Sequence, residues 1–386
     1  MFKKPTVFIL GAGASWHYSF PTGESLVQEV AAKASNLEGY FESAALEPIG
    51  LMPKYVASKL PHIDIPGGNE KSKWEIAWRL AAADCQVLRR KIKAVDPLVI
   101  DYFLGQNPEI QSLGKMLIAW VIRERETNFY DNGININHRR NPTQPIPQPM
   151  PPDNWVRFLI HRLIVGCSSD NELAANQVSF VTFNYDLSLE DNITKGLRNN
   201  SVFTFSGIDR FLADDRFLHV YGKVRDKNNP EHVPLHPLQN PPYSVNPQYR
   251  CSFVDDLLRI SEGIRTIDPL EKHDDEVLSK IRTLVRSAQC IYILGFGFDR
   301  NNCARIGLEP GNFQHKPGNP HVSVMFTNLG DINRINKAAS RAFFGHPDAF
   351  LNKQVTTENF GQHYYEKSIR DCYGALASDF DELEEY

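Results

Sequence analysis

Five short, largely apolar runs constrain this chain most: Thr6–Leu10 (TVFIL), Val178–Phe183 (VSFVTF), 216–221 (RFLHVY), 289–294 (QCIYIL) and 321–326 (HVSVMF). A strand that is apolar at both alternating positions is covered on both faces, which is how strands of parallel sheets read. Helical spacing separates the runs. Gly23–Lys33 has it, as do 274–288 and 330–341, and Asp153 is placed to cap NWVRFLIHRLIVG. Strand–helix alternation of this kind predicts an α/β fold, a Rossmann-like doubly wound and mostly parallel sheet. With 386 residues, the chain is long enough for one such domain spanning 1–386, with a helical insertion at about 35–140. Within that insertion, 37–72 reads as irregular because Pro48, Pro53, Pro61 and Pro66 interrupt it. From Lys73 onward, Trp74, Ala77, Trp78, Ala81, Cys85 and Leu88 fall on one face of a helix, and a second helix is expected at about 109–126. Residues 141–152 (NPTQPIPQPMPP) are a proline-rich loop, since proline at this density favours polyproline II.

The overall charge narrows the range of partners. A formal net charge of −4 provides no global basic field, so nucleic acid is expected only as an indirect partner, if at all. The basic run Arg89–Lys93 closes an amphipathic helix and reads as a solvated helix end. The six cysteines are scattered, with no C-x-x-C pair, which argues against a zinc ribbon and a disulfide framework. Cys85, Cys167 and Cys290 have apolar neighbours in sequence and are expected in the core. No run has the length of a membrane span, and the apolar N-terminal run is too short for a signal peptide, so no membrane partner and a cytoplasmic location are expected.

The chemistry gathers where the strands end. After TVFIL comes Gly11-Ala12-Gly13-Ala14-Ser15, a phosphate-type glycine turn, but Trp16 stands where G-x-G-x-x-G requires a third glycine. Residues 23–34 read as helix where a dehydrogenase would start its second strand, and no Gly-Lys-Ser/Thr of a P-loop follows. VSFVTF runs into Asn184-Tyr185-Asp186, RFLHVY into Gly222, and QCIYIL into Gly295-Phe296-Gly297-Phe298-Asp299. Open α/β sheets bind ligands at this carboxyl edge.

Taken together, GAGAS…PTG, TFNYD, a histidine-bearing strand ending in glycine, and LGFGFD resemble the sirtuin-like NAD-consuming family, most closely its bacterial antiphage-defence NADases. The resemblance covers about 5–24, 178–190, 216–225 and 289–329. It implies NAD+ as substrate, cleaved to nicotinamide and ADP-ribose, with Asn184, Asp186 and His219 catalytic. It assigns NAD binding to Gly11, Ala12, Gly13, Ser15, Thr22, Asn184, Gly295, Gly297 and Asn328. It also implies a homo-oligomer controlled by a partner, of which a HerA-like hexameric ATPase is one type. Deacetylating sirtuins carry a four-cysteine zinc module. No cysteines here have that spacing, so no zinc is expected and water becomes the acceptor. The family places its histidine directly before the glycine. Here Tyr221 occupies that position and His219 lies two residues earlier, so either side chain could fill the catalytic slot. A non-catalytic NAD- or ADP-ribose-binding scaffold subunit is the alternative.

Each residue also has a plainer reading. Asn184 or Asp186 can cap the following helix, His219 can be a satisfied core histidine, and Asp299–Asn302 can be an ordinary turn. His232 and His236 flank Pro234 and do not form a helical metal pair, and the acidic stretch 379–385 reads as a solvated end.

Overall fold

The computed structural model describes residues 1–46, 51–63, 70–133, 155–213, 215–225, 247–266, 276–313, 323–328, 333–347 and 362–365. The proline-rich loop, Asp153, His232, His236, Cys372 and the acidic stretch 379–385 lie outside the described residues. Two compact units are formed. One comprises Met1–Ser19, Pro145–Val220 and Lys272–Tyr386, the other Phe20–Gln144 and Tyr221–Glu271.

Between β1 (Thr6–Leu10) and β2 (Val178–Thr182) lie α1 (Gly23–Leu46), α2 (Lys54–Ala57), α3 (Glu70–Val95), α4 (Ile100–Gly105), α5 (Pro108–Gly133), α6 (Trp155–Ile164) and α7 (Asp170–Ala174). Helices α8 (Ser188–Arg198) and α9 (Phe205–Ala213) lead to β3 (Phe217–His219). Next come α10 (Pro247–Ser261), α11 (Glu276–Ser287) and β4 (Cys290–Leu294). The rest are α12 (Arg300–Ile306), α13 (Pro310–Phe313), β5 (Ser323–Thr327), α14 (Asn333–Phe344) and β6 (Gln362–Tyr365).

The first unit is built on a six-stranded sheet of order β3-β2-β1-β4-β5-β6, and every pairing is parallel. This is the Rossmann-like doubly wound order, with its direction reversing between β1 and β4. For this order, the right-handed rule for parallel crossovers puts the first unit's helices before β3 and those after it on opposite faces. The helix contacts follow suit: α6 packs on α8, α7 and α8 on α9, while α11 packs on α12 and α14 on α12 and α13.

An aromatic ladder fixes the register. Phe8 pairs with Phe180 on one side and Tyr292 on the other, and Phe180 pairs with Phe217. Ring centroids along this row are 5.3, 4.8 and 4.8 Å apart, all stacked. Such pairs add about 0.5–1.5 kcal/mol each beyond area burial. Slipping any strand by one residue would turn its ring to the opposite face.

The second unit is helical. Helix α1 packs along α3 and α5, and α5 along α10. The sequence reading ended α1 at Lys33, yet it continues to Leu46. Leu37, Tyr40, Phe41 and Ala45 extend the buried face of Val27, Val30 and Ala34, and no proline falls between Gly23 and Glu47. Helix α3 buries Ala77, Trp78, Ala81, Cys85 and Leu88 as its spacing predicts, while Trp74, expected on the same face, is only half-buried. Among the cysteines, Cys85 is in the core as expected. Cys167 and Cys290 are only half-buried, and Cys303 is buried. Among the described residues, no helix is long and apolar enough to cross a membrane.

Candidate functional site

The carboxyl ends of β1 and β4 meet at the point where the sheet reverses direction, and glycine lets them touch. Gly11 N donates to Leu294 O at 2.9 Å and Gly13 N to Gly295 O at 3.0 Å. A Cβ on Gly11 would lie 2.3 Å from Gly295 O, and one on Gly13 2.8 Å from Gly295 Cα. Gly295 itself has φ +59°, and its Cβ would lie 2.2 Å from Ala14 N. These glycines therefore serve a backbone-to-backbone approach, and the Gly11 and Gly13 amides already have carbonyl partners. Nor does a helix begin directly after the turn. Ala12–Ala14 and Trp16–Tyr18 are two successive 3-10 turns, and α1 starts at Gly23.

Those turns place Ser15 beside the end of β2. Ala14 O accepts from the buried Trp155 indole, Nε1 at 2.9 Å, which ties the turn to α6. Asn184 Nδ2 donates to Ser15 Oγ at 3.0 Å, and Ser15 Oγ donates to Asp186 Oδ2 at 3.4 Å. Asp186 Oδ1 accepts from Ser188 N at 3.0 Å and from Ser188 Oγ at 2.5 Å. Asp186 thus bonds the first residue of α8, whose N-cap position is Leu187 with no side-chain cap bond, and the same carboxylate faces Ser15. Asn184 makes neither of the Ser188 bonds. Its own amide donates to Thr182 Oγ1 at 3.1 Å.

His219 ends β3, paired with Thr182. Its Nδ1 lies 2.9 Å from Asn184 O and its Nε2 2.7 Å from Glu190 Oε1. A backbone carbonyl only accepts, so Nδ1 is the donor to Asn184 O, and Nε2 faces the Glu190 carboxylate. Both ring nitrogens are thus engaged. The strand stops at His219 and residues 220–221 turn, so the alternation that would put Tyr221 on the same face does not extend to it. Tyr221 is buried in the second unit, where Arg265 N donates to its carbonyl at 2.8 Å.

Leu10, Ala14, Ser15, Tyr18, Trp155, Val156, Thr182, Asn184, Asp186, Ser188, Leu189 and Glu190 enclose a cavity of about 20 Å³, room for roughly one water molecule. Ser15, Asn184 and Asp186 meet there, with His219 behind Glu190. The remaining assigned residues are placed elsewhere. Asn328 is buried, and its Nδ2 donates to Asn336 Oδ1 at 2.7 Å. Gly297 is exposed, and a Cβ there would meet nothing within 4 Å. Thr22 belongs to the second unit, where its hydroxyl lies 3.2 Å from Ser25 Oγ at the start of α1. Asp299 caps α12, accepting from Asn301 N and Asn302 N at 3.0 Å each, as the turn reading expected.

Glu190 was not legible as a site residue. In sequence it is an acidic residue in the first turn of α8, where the helix dipole alone accounts for it. Nothing local links it to a histidine 29 residues on. Thr327 is similar: a strand-end threonine whose Oγ1 accepts from Gly295 N at 2.9 Å.

No family model matches the chain, and no curated protein or solved structure matches it either. Fold and edge together define a class, a Rossmann-like α/β protein with a buried polar cluster at the carboxyl ends of β1, β2 and β3. Its particular activity has to be argued from those side chains.

Proposed function

We propose that this chain is an NAD+ glycohydrolase, releasing nicotinamide and ADP-ribose, and that it acts as an effector of bacterial antiphage defence by NAD depletion. One observation carries the reading: Ser15, Asn184 and Asp186 join the ends of β1 and β2 around a space the size of a single water. Cleavage of a nicotinamide–ribose bond passes through an oxocarbenium-like ribose, which fixed dipoles and a carboxylate stabilise. A water held by Asn184 and Asp186 would then be the acceptor of the ADP-ribosyl group. Depleting NAD harms the cell that makes the enzyme, so the reading includes control by a partner or by assembly, with a homo-oligomer and a HerA-like ATPase as the forms the resemblance suggests. A cytoplasmic location goes with that substrate.

The test is Asn184→Ala. It removes the Nδ2 donor to Ser15, a loss of about 1 kcal/mol in stability. Nicotinamide release should fall about 100-fold or more in a protein that still melts as one folded species. Release near the wild-type rate would refute the assignment.

A second reading is a non-catalytic NAD- or ADP-ribose-binding scaffold subunit. It is favoured by the engagement of both His219 ring nitrogens within the protein. NAD+ binding without nicotinamide release, by wild type alone and with its partner, would select it.

A further inference from the structure

Of the two residues in the His219–Glu190 pair, the histidine is the more withdrawn. Its side chain is 4% exposed against 17% for Glu190. Glu190 lines the one-water cavity together with Ser15, Asn184 and Asp186. The imidazole has no lone pair to offer a reactant, because Nδ1–H points at the Asn184 carbonyl and Nε2 meets the carboxylate. A base must reach the proton it takes, directly or through one water. We propose that the catalytic base of this site is Glu190, and that His219 is a positioning residue that holds it.

The proposal rests on the NAD+ reading for its reaction. In the step, the water oxygen bonds to the anomeric carbon of the nicotinamide ribose while one of its protons passes to the Glu190 carboxylate. The ribose–nicotinamide C–N bond breaks, and its electron pair goes to the nicotinamide ring nitrogen, leaving neutral nicotinamide. Glu190 then returns the proton to solvent, so NAD+ and water become nicotinamide, ADP-ribose and H+. His219 changes no bond. Its two hydrogen bonds fix the carboxylate to the end of β3 and to the Asn184 loop, as the carboxylate of a triad fixes its imidazole, with the roles reversed.

Two measurements on the 386-residue chain decide it. The first does not require turnover. Diethylpyrocarbonate acylates an unprotonated, accessible imidazole nitrogen, and His62 and His161 are exposed references. His219 should stay unlabelled in wild type while both references react, and should become labelled in Glu190→Ala. Labelling of His219 in wild type at the reference rate would overturn the pairing. The second is kinetic. Glu190→Gln keeps the size of the side chain and an acceptor for Nε2–H, so it should fold and bind NAD+ as wild type does, yet lose nicotinamide release about 100-fold or more. His219→Gln should lose less and should displace the acid limb of the pH–rate profile, which a purely structural clasp would leave in place. Glu190→Gln retaining release within about threefold of wild type would overturn the base assignment. If wild type releases no nicotinamide although His219 is shielded, the NAD+ reading and the step above both fall, while the labelling result stands for the pair.

Discussion

Gly295→Ala should strongly destabilise the first unit, and its cost can be worked from the backbone. Gly295 has φ +59°, the left-handed region, which costs a residue with a Cβ about 1–2 kcal/mol. The added carbon would also sit 2.2 Å from Ala14 N and 2.6 Å from Gly13 Cα, both backbone atoms. No rotamer relieves such a contact, and overpacking of this kind adds about 1–3 kcal/mol. The sum is about 2–5 kcal/mol, against a total stability on the order of 5–15 kcal/mol for a folded domain. In urea unfolding the midpoint should fall with the m-value unchanged. Gly297→Ala is the matched control two residues on. Its Cβ meets nothing within 4 Å, so stability should stay within about 0.5 kcal/mol of wild type. A Gly295→Ala protein as stable as wild type would refute the claim that β1 and β4 are joined by backbone contact at their carboxyl ends.

Two further outcomes follow from titratable groups. Burial, the largest cause, pushes the Cys303 thiol up to about 12 and the Cys85 thiol higher still, so both should resist alkylation in the native state at pH 8 and react only on unfolding. Mass mapping of iodoacetamide adducts checks this, and native labelling at either position would contradict the burial. Asp170 accepts from Thr204 Oγ1 at 2.6 Å and from Thr204 N at 3.0 Å, and these bonds, the side-chain one first, hold its carboxyl below the usual range. A depressed carboxyl stabilises the fold above its unfolded pKa of about 3.9 and loses that contribution as pH falls through the folded value. Asp170→Asn should therefore flatten the acid end of the stability–pH curve. An acid limb identical to wild type would show that the contact contributes nothing.

The fold was legible because the strands are apolar at both alternating positions, and that pattern alone placed β1, β2 and β4 to within a residue. The extent of α1 was missed because four prolines in 37–72 outweighed the continuing 3–4 spacing of Leu37, Tyr40, Phe41 and Ala45, although the first of those prolines comes after the helix ends. In the site, Asn184 and Asp186 came from the resemblance that TFNYD carries, and both lie immediately after β2. What a linear pattern could not supply was what each polar group faces. Gly11 and Gly13 read as phosphate ligands because a glycine turn after a strand looks the same whether it receives an anion or another backbone. Only the register of β1 against β4 separates the two, through the Leu294 and Gly295 carbonyls. His219 read as a base because its residue type titrates near neutrality, yet a base is defined by an available lone pair, and availability depends on Asn184 O and Glu190 Oε1, contributed by a different strand end and a different helix. Chemical capacity is thus local and readable in this chain, whereas chemical role is set by contacts between segments far apart in sequence. The side chain that joins His219 to the cavity is therefore a glutamate that the motif did not include.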